Sequence, residues 1–304
     1  MRRTLLLLSV ACGVAAAWLA PVQAQETSAA PTELTGTLKK VHAAGAVTIA
    51  YRSASVPFSF MSPRGEPIGY SIEICRAIVA AIGEELGQDL PIRWLPVTAD
   101  DRMDAIVSGR ADLECGSTTA NDERRKRVAF SPVIFIAGTK LLVKQDSPIR
   151  SFRDLSGRTV VVTAGTTNEP AMRELAERFK IDMRLVVAPD HAESYDKLAG
   201  GGADAFATDD VLLYGLIALH RSQAQFHVVG EFLSYEPYAV MFRKDDEPLR
   251  QLVQRAFQEL AADGEFDRQY KRWFMQPLPS GVSLNLPMSA ELETLLSTLV
   301  PAPE

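Results

Sequence analysis

Residues 114–124, Glu-Cys-Gly-Ser-Thr-Thr-Ala-Asn-Asp-Glu-Arg, carry the densest anion-holding chemistry of the chain. Three consecutive hydroxyls, Ser117, Thr118 and Thr119, follow a strand-like run, Ala111–Cys115, and lead into a short helix that brings Arg124. Hydroxyls, the free N–H groups of a helix start and a guanidinium together make a receptor for a carboxylate. No residue of the segment is a nucleophile with its own base, so the chemistry is that of holding an anion, not of breaking a bond. A second turn of similar character, Ala164-Gly-Thr-Thr167, opens a helix expected over about Asn168–Phe179, with Pro170 in the first turn where a missing N–H costs little.

Catalytic and metal signatures are weak by comparison. Gly-x-Ser-x-Gly does not occur, and no Ser-His-Asp arrangement stands out. Glu73 and Glu114 are the acids an enzyme on this scaffold would use, although acids beside strands and helices ordinarily cap or solvate. The four histidines, His42, His191, His220 and His227, have no metal-ligand spacing, so neither a metal nor a cofactor is expected.

The elements that position these residues alternate in βαβ fashion, as in a mostly parallel sheet. A strand over Val47–Arg52 is followed by a helix over Ile68–Leu86, with Ile72, Cys75, Ile78, Val79 and Ile82 on one side. Strand Pro91–Val97, helix Asp100–Ser108 stopped by Gly109, and strand Ala111–Cys115 complete the first half. The rhythm restarts with strand Thr159–Thr163 and its helix, strand Arg184–Ala188, helix His191–Leu198, strand Asp204–Ala207 and helix Asp209–His220. Two extended runs, Phe135–Val143 and Tyr235–Arg243, connect the halves, so one lobe is inserted in the other. The stripe Phe266, Tyr270, Trp273 and Phe274 has helical spacing and reads as core packing of a C-terminal helix on the first lobe.

Residues 1–24 have a secretory signal pattern: Arg2 and Arg3, an apolar run over Leu5–Leu19, and small residues at Val22 and Ala24 before the expected cut. Cleavage there leaves 280 of 304 residues and, with two arginines and no acid removed, takes the formal charge from −6 to −8. The acidic balance argues against nucleic-acid binding. No later apolar run is long enough to span a bilayer. An exported, periplasmic protein is expected, with a flexible polar lead over 25–33. Export permits a disulfide between the remaining Cys75 and Cys115. The favoured expectation is instead two small buried apolar side chains.

The chain resembles the periplasmic solute-binding proteins of polar amino-acid ABC transporters, family 3, and within them the glutamate/aspartate-binding branch. The resemblance runs over about residues 34–300. It rests on Arg52-Ser-Ala-Ser-Val-Pro-Phe58, Gly69-Tyr-Ser71, Glu114-Cys-Gly-Ser-Thr-Thr119 with Glu123-Arg124, Gly165-Thr-Thr167, Asp190-His191, Asp209-Asp210 and Arg243-Lys-Asp-Asp246. It implies an α/β, type II two-lobe periplasmic-binding-protein fold with two hinge strands and a ligand cleft between the lobes. Lobe 1 would comprise 34–138 plus 238–304, and the inserted lobe 2 would comprise 139–237. The implied function is capture of L-glutamate or L-aspartate by lobe closure and delivery to ABC transporter permease subunits, by a monomer that is not an enzyme. Another amino acid, a dicarboxylate, or a ligand-presenting sensor are the alternatives.

The resemblance also implies roles. Arg124 would fork the α-carboxylate, aided from the other lobe by Thr167 with Thr166. Asp209 would receive the ammonium, and Ser117 and Thr119 would supply further bonds to the ammonium and carboxylate through a main-chain carbonyl and a hydroxyl. Arg52, Arg102 and His191 would surround the distal carboxylate, which is costly to bury without partners. By residue type alone Arg102 reads equally as a surface helix residue and His191 as a helix cap. Asp210 reads as a cap or a solvated charge, and Tyr51 and Phe58 as apolar walls or core. One position departs from the branch: Ala99, beside Thr98, stands where a serine is usual, so one bond to the distal carboxylate is missing or replaced.

Overall fold

Two five-stranded sheets account for the two runs of alternating strands and helices. The computed structural model describes residues 34–300; the expected signal peptide and polar lead lie outside the described residues. The first sheet has the order Ile92–Pro96, Val47–Tyr51, Leu113–Cys115, Met241–Arg243, Val128–Phe130. Its first three strands run parallel, and Met241–Arg243 is antiparallel to both neighbours. The second sheet has the order Arg184–Ala188, Thr159–Thr163, Ala205–Asp209, Thr139–Lys144, Phe226–Val229, again parallel in its first three strands and antiparallel thereafter.

Helices cover these sheets, which is why their parallel strands read as continuous apolar runs such as the buried Val160-Val161-Val162. The helix Tyr70–Leu86 turns Ile72, Cys75, Ile78, Val79 and Ile82 inward, as its periodicity predicts. The expected elements are present, with boundary changes of a few residues. The largest changes are at Asp100–Ser108, which shortens to Arg102–Val107, and Asp204–Ala207, which shifts to Ala205–Asp209.

The two extended connections each break in two. Phe135–Ala137 pairs antiparallel with Glu236–Tyr238, whereas Thr139–Lys144 and Met241–Arg243 belong to different sheets. A strand that leaves one sheet for another cannot keep one ladder. Gly138 marks the first break, where a Cβ would fall 2.6 Å from the Phe232 ring and the Ser234 carbonyl oxygen. An aromatic cluster surrounds the crossing: Phe135 stacks on Phe274 and Tyr270, and Phe58 meets Phe135, Tyr238 and Phe274 edge-on. The C-terminal stripe is therefore core, although its helix, Glu265–Tyr270, widens into a π-helical turn over Lys271–Met275.

The cysteines overturn the favoured expectation. Cys75, on the helix, and Cys115, on the strand beneath it, form a disulfide with Cα atoms 6.4 Å apart. The apolar face of the helix lies over the strand and brings both fully buried side chains into bonding range. A small sheet was also not foreseen. Its strands, Ala54–Ser55, Ser59–Met61 and Pro67–Ile68, follow Arg52 directly.

Candidate ligand-binding site

Arg52 emerges at the end of strand Val47–Tyr51 and is held there by the small sheet: its backbone N–H donates to Ser59 Oγ at 2.9 Å, and Ser59 donates back to its carbonyl at 3.0 Å. The side chain is 2% exposed, and its Nη2 has no hydrogen-bond partner. Arg102, the first residue of its helix, is equally buried. Its Nη1 donates to Thr118 Oγ1 at 2.6 Å, while its Nε is buried without a partner. Thr118 in turn donates to Glu114 Oε2 at 2.6 Å. Glu114 is thus no catalytic acid poised toward solvent; it is a fully buried countercharge beneath the two arginines.

Burial is the main cause lowering the pKa of both arginines, and Arg102 adds to the effect on Arg52, which falls to about 10; Glu114 opposes it at each. Two buried cations with free N–H groups, and one carboxylate between them, leave a site that an added anion would relieve.

His191 opens the helix His191–Ala199 and is buried, so it is not merely a cap. Its Nδ1 lies 2.9 Å from Thr163 Oγ1, which is 2.8 Å from Ser194 Oγ. Burial, then the fields of Arg52 and Arg102, hold its pKa well below the usual histidine value, so the ring is neutral at pH 7.

Asp209 ends strand Ala205–Asp209. It accepts from Asn168 Nδ2 at 2.6 Å on one oxygen and from the Tyr238 hydroxyl on the other. Burial and then the nearby Glu236 raise its pKa to about 7. Asp210 beside it accepts from the Gly138 N–H at 3.4 Å.

These side chains line one cavity. It collects Arg52, Arg102, Ser117, Thr119, Thr166, Thr167, His191 and Asp209, joined by Asn168 and Leu212. The walls meet closely and leave about 10 Å³ free, room for about one water. Arg124 stands at its edge. Its Nη1 donates to the Thr119 carbonyl at 3.0 Å and its Nη2 to the Gly165 carbonyl at 3.2 Å, so it touches both turns singled out in the sequence. Burial, then Arg102, lowers its pKa to about 9. Thr166 turns its hydroxyl back to the Thr163 carbonyl at 2.7 Å. Thr119 and Thr167 each donate to Glu236 Oε2, at 2.6 and 2.7 Å.

Gly165 permits its turn to approach the backbone of Ala99-Asp100 closely. Its φ is +70°, and a Cβ there would lie 2.4 Å from the Asp100 Cα. Ala99, just before, is buried, and the hydroxyl of Thr98 is bonded to Asp101 at 2.9 Å. Neither lines the cavity. Phe58 belongs to the aromatic core and Tyr51 packs edge-on against Trp94, so neither is a cavity wall.

Glu236, Tyr238 and Asn168 were not anticipated. An acid inside the extended run Tyr235–Arg243 was the one available signal for Glu236. A larger groove of about 310 Å³, by Phe266, Met288 and Leu296, lies elsewhere; its lining holds Asp267 and Glu293 but no cation.

A profile of the bacterial extracellular solute-binding proteins, family 3, matches residues 47–276. The chain belongs to this family. It is 42% identical over 288 residues to an L-glutamate/L-aspartate-binding protein of Pseudomonas aeruginosa, covering 94% of this chain and 93% of the relative. It is 37% identical over 274 residues to a glutamate/aspartate import solute-binding protein of Escherichia coli, covering 90% of each. Among solved structures, an ancestral arginine-binding protein bound to arginine superposes with a TM-score of 0.69 at 28% identity, covering 76% of this chain and 98% of that one. The family member described here therefore has the two-lobe type II fold, with the crossing strands as its hinge and the cavity between the lobes. Its close relatives are binding proteins and not enzymes.

Proposed function

We propose that this protein is an extracytoplasmic binding protein that captures L-glutamate or L-aspartate by closing its two lobes on the ligand and delivers it to an ABC transporter. One observation carries the acidic-ligand reading: Arg52 Nη2 and Arg102 Nε are buried N–H groups without partners, on the wall shared with neutral His191. A buried carboxylate needs such donors, and a cationic side chain would be repelled by them. The relatives named for glutamate and aspartate support the same choice.

In this reading the distal carboxylate lies against Arg52, Arg102 and His191. Arg124 forks the α-carboxylate, with help from the N–H groups of the Thr166-Thr167 turn. Asp209 receives the ammonium, and Ser117 and Thr119 complete the shell. The lobes, 34–138 with 238–304 and 139–237, separate to admit the ligand, since the cavity walls leave no room for it as they stand. The protein works as a periplasmic monomer without nucleic-acid partners. Among the described residues no helix is long and apolar enough to cross a membrane.

Calorimetric titration of refolded, ligand-stripped protein with a panel of amino acids and dicarboxylates tests the proposal. The expected result is a Kd for glutamate or aspartate in the micromolar range or tighter, about −8 kcal/mol or better. Binding of glutamine or arginine without glutamate or aspartate would overturn it.

A further inference from the structure

Glu236 sits on the crossing strand Glu236–Tyr238 and is 3% exposed. Its Oε2 accepts the Thr119 hydroxyl at 2.6 Å and the Thr167 hydroxyl at 2.7 Å, and the two hydroxyl oxygens are 3.5 Å apart. Thr119 belongs to the turn after Leu113–Cys115 in the first sheet, and Thr167 to the turn after Thr159–Thr163 in the second. One carboxylate oxygen therefore accepts a hydrogen bond from each side of the cavity. Both threonines line the cavity, and Glu236 lies behind them.

A hydroxyl has one proton. Once given to Glu236, it is not offered to the cavity, and the threonines turn lone pairs inward. Lone pairs accept hydrogen bonds, so they suit an ammonium and repel a carboxylate. Asp209 lines the same cavity, which adds an acid to this end. Opposing charge comes from Arg124, whose guanidinium bonds the Thr119 and Gly165 carbonyls, and from Arg102.

We propose that Glu236 is a positioning residue for the ligand's ammonium: by holding the Thr119 and Thr167 protons it makes that end of the cavity an acceptor, and so sets a preference for an amino acid over the dicarboxylate of the same length. The inference rests on the acidic amino-acid reading above. It moves the Thr167 hydroxyl from the carboxylate to the ammonium and leaves the carboxylate to Arg124 and the backbone N–H groups.

The test is Glu236→Gln, titrated with L-glutamate and with glutarate, which lacks only the amino group. Glutarate is measured by displacement of labelled glutamate, so that weak binding is read. The amide of glutamine can donate to one hydroxyl oxygen and free its proton toward the cavity. Glutamate affinity should fall tenfold or more while glutarate affinity holds or rises, shrinking the ratio between them. An equal loss for both ligands would overturn the proposal, since Glu236 would then only tie the lobes together. Tighter glutamate binding would also overturn it, since the carboxylate would then compete with the ligand's own. If Glu236→Gln fails to fold, Thr167→Val removes one of the two acceptors and is judged by the same ratio. Wild-type protein that binds neither acidic amino acid would sink the ligand assignment instead, a result distinct from an unchanged ratio in the variant.

Discussion

At the edge of the cavity, Arg124 donates to the carbonyl of Gly165 at 3.2 Å while holding the Thr119 carbonyl at 3.0 Å, so a single guanidinium ties together turns that follow strands of the two sheets. Its planar fork makes this double reach possible. Lysine would supply the charge at one point only. Arg124→Lys should weaken glutamate or aspartate binding by about 10- to 100-fold, corresponding to roughly 1.5–3 kcal/mol for a lost bond to a charge. Calorimetry with a matched thermal melt checks this, and an unchanged Kd would remove Arg124 from the site.

Arg52 and Arg102 should control which side chain is accepted. Arg102→Gln leaves Thr118 with an amide neighbour and takes one cation from the distal wall. Glutamate binding should fall by more than tenfold while glutamine binding changes little or improves. The ratio of the two dissociation constants is the readout. Parallel losses for both ligands would indicate general damage to the lobe.

Asp209 gives the site a pH dependence of defined sign. Its pKa is raised to about 7 by burial and by Glu236, so below that value the folded protein holds a proton there. An ammonium requires the carboxylate form, so binding below pH 7 releases this proton. Affinity should therefore rise with pH, by at most about tenfold per unit, and level off above 7. His191, whose pKa burial holds well below the usual histidine value, does not share this titration near pH 7. Stability without ligand follows the opposite course. A carboxyl with a raised folded pKa contributes stability that is full below its unfolded pKa of 3.8 and is lost as pH rises to about 7. Asp209→Asn should flatten both profiles, as measured by titration and by urea denaturation from pH 5 to 8.

The Cys75–Cys115 disulfide closes a loop of sequence separation 40. Replacing both cysteines by alanine should cost up to about 4 kcal/mol through the freedom returned to the unfolded chain. Chemical denaturation of the oxidised, reduced and double-alanine forms checks this. Neither cysteine lines the cavity, so ligand affinity under native conditions should be little changed.

Much of this site could be read from the chain because its residues cluster at strand ends. Ser117 and Thr119 after Leu113–Cys115, and Thr166 and Thr167 after Thr159–Thr163, stand out as hydroxyl-rich turns in the βαβ rhythm, which carries strand ends to one side of a sheet, whereas Arg52 after Val47–Tyr51 and Asp209 at the end of Ala205–Asp209 are implied by the family resemblance. The unread residues depend on contacts between separate elements, which the spacing along the chain does not report. Glu236 has meaning only once its strand is seen to lie beside Thr119 and within reach of Thr167. Asn168 looked like the opening of a helix, yet it bridges Thr139 and Asp209. Glu114 reads in the sequence as an acid that caps or solvates, yet Thr118 connects it to Arg102. The disulfide escaped for the same reason, because nothing in the spacing of Cys75 and Cys115 reports the register of a helix over a strand.

Phe135–Ala137 and Glu236–Tyr238 are bonded to each other along three residue pairs. The two connections are therefore a ribbon and not a pair of independent cords. A ribbon folds easily about a line across its width and resists sliding of one edge past the other. Glu236 and Tyr238 ride on the same edge, one reaching Thr167 and the other Asp209. When the lobes part, Thr167 and Asp209 must be drawn away from Glu236 and Tyr238 in step, so this end of the cavity is undone and remade as one piece.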